Sequence, residues 1–286
     1  MFSMIQFIKK WFISPGILHT LNKVNGNIKL SLMSLEDKQL LKENLKIKNK
    51  YSSSRCFIMG AGSSVKSQDM KKLEGEFVIS VSNTFAHPDF KIIKSKFHVI
   101  PPLLKSHLGT FEINDFIQWL KVMESATGDA EMFIHIGDRV LIEENCIFKN
   151  RIIHWVEYSL WDGNFNTPID LCRIPDIGSV SEVAISVAMY LGFEKIYLIG
   201  IDHDWFNGLF IYFYDQSKDH VMQADIKSIN HIDSEYQMRR HSEIFKKYKY
   251  LGSLKNNIYN ANSNNQTYLD VFPKVDYDTL FGNNKL

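Results

Sequence analysis

Cys56-Phe57-Ile58-Met59-Gly60-Ala61-Gly62-Ser63-Ser64-Val65 is the stretch that decides the fold. A short apolar run, buried on both sides, goes straight into a Gly-x-Gly-Ser-Ser turn. Glycines let a backbone approach a ligand closely, and serines offer hydroxyl and amide donors to anionic oxygen. An ordinary strand-to-helix turn would explain the same residues with no ligand. The third glycine of a dinucleotide fingerprint is missing. The next strand ends Ser80-Val81-Ser82-Asn83, without the acidic residue that holds a ribose.

Working outward, further apolar runs follow at 77–81, 97–100, 132–135, 152–156, 196–201 and 258–261. Amphipathic segments at 114–124, 180–191 and 234–248 lie between several of them. Strand–helix alternation with buried strands predicts an α/β chain built on a doubly wound, mainly parallel, Rossmann-like sheet. Residues 35–45 predict a helix rich in Lys, Glu and Leu, and Tyr51-Ser52-Ser53-Ser54 punctuates it. The expected organisation is a helical N-terminal appendage over 1–50 and an α/β domain over 51–280. Segment 206–233 lacks a clear period and reads as a lid-like stretch.

Composition narrows the function. Of 286 residues, 45% are hydrophobic and 23% charged, enough for a sizeable core. With 33 basic and 32 acidic residues there is no basic excess, which argues against nucleic acid as a partner. Cys56, Cys146 and Cys172 are scattered and odd in number, which argues against a disulfide framework and suits a cytoplasmic setting. No run of about 18 apolar residues is present, so no transmembrane helix is expected. The N-terminus MFSMIQFIKKWFISPGILHTL has two readings. One is a short helix packed on the domain. The other is a peripheral anchor at the inner membrane, with Phe2, Ile5, Phe7, Trp11 and Phe12 in the lipid boundary.

Three more constellations bear chemistry. Gly178-Ser179-Val180-Ser181-Glu182 has the spacing of a capping box, and a helix start presenting amides and two hydroxyls is also an anion site. The strand Lys195-Ile196-Tyr197-Leu198-Ile199-Gly200-Ile201 ends in Asp202-His203-Asp204-Trp205. Polar residues at such a strand end are where α/β proteins place their sites. Asp202 and Asp204 also have the spacing with which some proteins hold a divalent metal across a diphosphate. His231 stands just before a helix and is a candidate general base near neutral pH.

In this order the 60–64 loop, Ser82-Asn83, the 178–181 turn and the 191–202 block resemble two related groups. One is the Campylobacter-type bacterial sialyltransferases of glycosyltransferase family 42. The other is the domain-of-unknown-function 115 set, which includes MptE-like pterin diphosphokinases. The resemblance spans roughly 55–277 and is most specific over 191–202. It implies the GT-A-like sialyltransferase variant of the sheet, a CMP-sugar donor, inversion at the sugar's anomeric carbon and no metal or other cofactor. It also implies a glycan or glycolipid acceptor in surface-polysaccharide assembly.

By the same resemblance Gly60, Ala61, Gly62, Ser63 and Ser64 shape the donor loop, and Asn83 contacts the donor. Gly178, Ser179, Val180 and Ser181 hold the nucleotide, with Gly200, Asp202 and Asp204 on its side of the pocket. His231 takes the acceptor proton, and Tyr212 or Tyr214 donates to the leaving phosphate. The chain departs from the family pattern at Ala61, where the sialyltransferases carry asparagine, and at Asp204, where they carry a tyrosine. Two alternatives stay open: a pterin-type diphosphokinase with Mg²⁺ at Asp202 and Asp204, and a non-catalytic glycan-assembly factor. A homo-oligomer is also compatible with the sequence.

Overall fold

A computed structural model describes residues 15–103, 112–158, 169–174, 178–203, 212–214, 234–255, 257–262 and 269–282; for 15–19, 21–23 and 234–240 it describes the backbone only. Seven strands form: β1 (Arg55–Met59), β2 (Phe77–Val81), β3 (Phe97–Val99), β4 (Glu131–His135), β5 (Ile153–Val156), β6 (Lys195–Ile199) and β7 (Ile258–Asn260). They make one sheet in the order β5-β4-β3-β2-β1-β6-β7. Every adjacent pair is parallel, so the mainly parallel expectation becomes a wholly parallel sheet among the described residues. All seven apolar runs became strands, with ends shifted by a residue or two.

The helices are α1 (Pro15–Leu32), α2 (Leu35–Glu43), α3 (Phe90–Ile93), α4 (Ile113–Ala126), α5 (Arg139–Glu144), α6 (Val180–Tyr190) and α7 (Ser234–Leu254). Both faces of the sheet are covered, which is why β1 is apolar at consecutive positions. Cys56 and Ile58 point into the cluster that holds α6, whereas Phe57 and Met59 point into the opposite one. α6 lies between the sheet and α7, whose Ile244, Tyr248 and Leu251 join the same cluster. A helix enclosed in this way is apolar all round, and each residue from Ser181 to Ala188 is buried. α4 turns Phe116, Trp119, Leu120 and Met123 inward at helical spacing, beside Met132 and Ile134 of β4.

One of the two readings of the 60–64 loop, the ordinary strand-to-helix turn, does not match the fold. No α-helix follows there. Ser63–Ser67 and Met70–Leu73 form 3₁₀ turns, and Val65, Met70 and Leu73 roof that face of the sheet. Ser63, Ser64 and Ser67 in this short segment favour local side-chain bonds over helix, and Ser67 Oγ donates to the Ser64 carbonyl at 2.9 Å. The loop therefore has no helix dipole behind it.

The 35–47 segment packs on the sheet edge. Ser34 caps α2 by accepting from the Asp37 amide at 3.0 Å, Leu41 is buried, and Asn44 Nδ2 donates to the Trp155 carbonyl at 2.7 Å. At the opposite end of the strands from the loops described below, Glu131 ties β4 to β5 and to the residue just before β3. Its carboxylate meets His154 Nε2 at 2.8 Å and Lys96 Nζ at 2.9 Å.

The His154 bond, reinforced by Lys96, holds the Glu131 carboxyl down at about 2, against an ordinary value of 4.5. A carboxyl depressed in the folded state adds stability above its unfolded value, and that stability is lost as pH falls through the folded one. The thermal midpoint is therefore expected to fall between roughly pH 5 and pH 2. Glu131→Gln should flatten that part of the curve, as circular dichroism melts across this range would show.

Candidate functional site

The strand order reverses between β1 and β6. The chain steps outward from β1 to β5, then returns to place β6 on the other side of β1. In open parallel sheets, the carboxyl ends of the two strands at such a reversal bound a natural crevice. Here those ends are the 60–64 loop and the Gly200–Asp202 turn.

The two backbones nearly touch. The Gly60 amide donates to the Ile199 carbonyl at 2.8 Å and the Gly62 amide to the Gly200 carbonyl at 2.7 Å. A methyl on Gly60 would collide with the Gly200 carbonyl, and one on Gly62 with the Asp202 carboxylate. Gly200 adopts φ +62°, and a Cβ there would lie 2.5 Å from the Gly60 carbonyl oxygen. In the fold, the glycines that suggested close approach of a ligand admit a neighbouring strand end. The amides of Gly60 and Gly62 are spent on that contact.

Ser64 closes the junction. Its amide donates to Asp202 Oδ2 at 2.9 Å and its hydroxyl to Asp202 Oδ1 at 2.5 Å. Asp202 is only 5% exposed. Burial pushes its carboxyl up from the usual range, and the two Ser64 bonds pull in the opposite direction. Asn262, just after β7, braces the preceding residue: its Nδ2 donates to the Ile201 carbonyl at 3.0 Å and its Oδ1 accepts from the Ile201 amide at 3.4 Å.

Asn83 stands at the end of β2. Its Oδ1 accepts from Trp119 Nε1 at 2.7 Å, and its Nδ2 donates to the Tyr214 hydroxyl at 3.1 Å. Tyr212 and Tyr214 stack with ring centres 5.0 Å apart and planes within 8°. Between them the Phe213 amide donates to the Ala61 carbonyl at 3.1 Å, and Tyr212 bridges Gly62 in antiparallel fashion. Asn83, Tyr212 and Tyr214 are thus gathered at the 60–64 loop.

The start of α6 reaches the same place by another route. The expected capping box forms: Glu182 Oε2 accepts from the amides of Gly178 at 2.7 Å and Ser179 at 3.3 Å. That carboxylate already occupies the positive end of the helix, so what remains for a ligand there is hydroxyl chemistry. Ser179 Oγ lies 2.6 Å from Ser181 Oγ, Ser181 Oγ 2.6 Å from the Tyr248 hydroxyl, and that hydroxyl 2.7 Å from His203 Nε2. His203 follows Asp202 in sequence, is 5% exposed, and holds a left-handed φ of +50°. Burial, with the Glu182 charge nearby, pushes the Tyr248 hydroxyl far above its usual range, so it stays protonated.

Ser64, Asn83, Tyr212, Tyr214, Ser179, Ser181, Gly200 and Asp202 are therefore brought around one reversal point. Asp204 and His231 lie outside the described residues, as does the lid-like 206–233 segment apart from 212–214. Sequence reasoning missed His203, Tyr248, Trp119 and Asn262. His203 sat inside the Asp202-His203-Asp204 triplet, and its place at a strand end was the available signal. The other three come from distant elements and carry no local mark.

No family model and no curated protein matches this chain. Among solved structures, it is similar to the sialyltransferase CstII from Campylobacter jejuni in complex with a substrate analogue, cytidine-5'-monophosphate. The TM-score is 0.46 and the identity 16%, over 78% of this chain and 85% of that one. The fold of this chain is established by its own seven parallel strands.

The glycine contact has a measurable cost. Gly200→Ala should destabilise by at least about 2 kcal/mol, combining left-handed strain with a backbone collision. Gly128→Ala, at φ +55° with nothing within 4 Å, should cost only about 1 kcal/mol. Urea unfolding of the two variants gives the comparison, and equal losses would refute the packing account.

Proposed function

We propose that the protein is an inverting glycosyltransferase that moves an acidic, sialic acid-like sugar from a CMP-activated donor to a surface-glycan acceptor. The observation that carries this reading is the set of hydroxyl and amide groups linked around the β1/β6 reversal. Asn83 with Tyr214 stands on one side, Ser64 with Asp202 in the middle, and His203 through Ser179 on the other. The order of the motifs along the chain, as in the sialyltransferase group, supports the choice of donor.

In this reading the donor lies over the 60–64 loop and Gly200, with Asp202 shaping the nucleotide side. Asn83 hydrogen-bonds the donor near its phosphate or sugar. Ser179 and Ser181 present hydroxyls to the ribose or phosphate. The acceptor oxygen attacks the anomeric carbon while the bond to the CMP phosphate breaks, and the phosphate leaves with the bonding electrons. The acceptor proton passes to His231. Tyr212 or Tyr214 stabilises the departing phosphate. Donation from Trp119 through Asn83 to the Tyr214 oxygen polarises that hydroxyl as a donor, the sense this role requires.

The diphosphokinase alternative has less support. Both carboxylate oxygens of Asp202 already accept from Ser64, and Asp202 was one half of the pair proposed to hold Mg²⁺.

Titration calorimetry in metal-free buffer tests the reading. CMP and CDP should each bind at one site per chain, and Asn83→Ala should weaken them by about tenfold or more, the worth of one hydrogen bond to a charged group. Absence of binding by either nucleotide would overturn the proposal. Binding of ATP only with Mg²⁺ would favour the diphosphokinase.

A further inference from the structure

α1 presents an apolar stripe that is exposed along one side of the helix. Val24, Ile28 and Leu32 recur every fourth residue, so they lie along one line of the helix. They are 49, 50 and 79% exposed, and Leu35 just beyond them is 84% exposed. The other side of the helix faces the body: Gly26 is buried, and Met33 packs against the cluster around α4. Arg173 Nη1 donates to Asn27 Oδ1 at 3.3 Å, and Arg139 meets Glu36 at 2.9 Å and Asp37 at 3.0 Å. These polar contacts leave the stripe turned outward. Isolated exposed leucines are ordinary on a protein surface, but a line of three on one helix, with Leu35 exposed at the start of the next, is the pattern of an interaction face.

Charge identifies what covers it. Residues 1–35 contain Lys9, Lys10, Lys23 and Lys29 and not a single Asp or Glu, although the whole chain is near neutral with 33 basic and 32 acidic residues. A second copy packed on the stripe would bring two such lysine sets together with no carboxylate from either segment to pair them. An anionic surface has no such conflict. Among the described residues no helix is long and apolar enough to cross a membrane, so α1 would lie on a membrane rather than in it. An 18-residue helix laid flat spans about 27 Å.

We infer that α1 docks on an anionic lipid surface, with Val24, Ile28 and Leu32 entering the acyl boundary and the net positive charge of residues 1–35 favouring that surface. The aromatic residues that precede it in sequence, Phe2, Phe7, Trp11 and Phe12, are of the type that such a boundary accepts. The docking is independent of the donor reading, since no residue of the strand-end site takes part in it.

The test uses the full chain with vesicles of phosphatidylcholine, either alone or with about 30% phosphatidylglycerol. The chain should sediment with the anionic vesicles, and binding should drop at least about fivefold in neutral vesicles or in 0.5 M salt. The exposed double variant Ile28→Ser/Leu32→Ser should keep the native melting temperature and bind about tenfold more weakly or worse. For the native chain alone, anionic vesicles should slow tryptic cleavage after Lys23 and Lys29 several-fold. Failure to sediment, unchanged cleavage, or a folded double variant that binds like the native chain would each overturn the inference. So would a native dimer, seen by ultracentrifugation, that the double variant dissolves while vesicle binding persists.

Discussion

Two strand ends meet without any side chain between them, and the polar groups of the candidate site are arranged by that meeting. Gly60 and Gly62 on one side and Gly200 on the other bring the backbones into direct hydrogen-bond contact. Only at that distance can Ser64 reach Asp202 with both its amide and its hydroxyl. The cost of taking Asp202 out of water, a few kcal/mol for a polar group, is offset by those two bonds, each strengthened by the carboxylate's charge. A bulkier residue at any of the three glycines would separate the strand ends and leave a buried carboxylate without its donors.

From this junction the site extends in two directions, and different helices carry each arm. Toward β2 the arm runs through Tyr214 and Asn83 to Trp119 on α4. Toward α6 it runs through His203 and Tyr248 to Ser181 and Ser179. Tyr248 belongs to α7, which also closes the outer side of α6. Core packing and site geometry therefore share one residue there. A hydroxyl that is fully enclosed and stays protonated is a rigid connector, and it holds the His203 ring at a left-handed backbone position that few non-glycine residues adopt.

The sheet was legible in the sequence because its strands are buried on both faces, so each shows as a short unbroken apolar run. The Ser179–Glu182 cap was legible because both partners lie within one helical turn. What could not be read was any pairing across the sheet. Ser64 and Asp202 are 138 positions apart, and Asn83 and Tyr214 are 131 apart. The glycines of the 60–64 loop were visible, but the neighbouring strand end that they admit was not. The 3₁₀ path after that loop was foreshadowed by its serines, which compete with the backbone for helical bonds. Within the amphipathic 114–124 segment, nothing in the pattern set Trp119 apart from a core residue at helical spacing. It is one, and its indole nitrogen does a second job.

That nitrogen gives the molecule a built-in optical reporter. Trp119 is almost wholly enclosed, and its N–H is held by the Asn83 side-chain oxygen. Indole emission depends on what its N–H is bonded to and on the polarity around the ring. Any molecule that reorients Asn83 would thus change the colour or brightness of one enclosed tryptophan. Occupancy of the crevice would then be visible in the intrinsic fluorescence of the unlabelled protein.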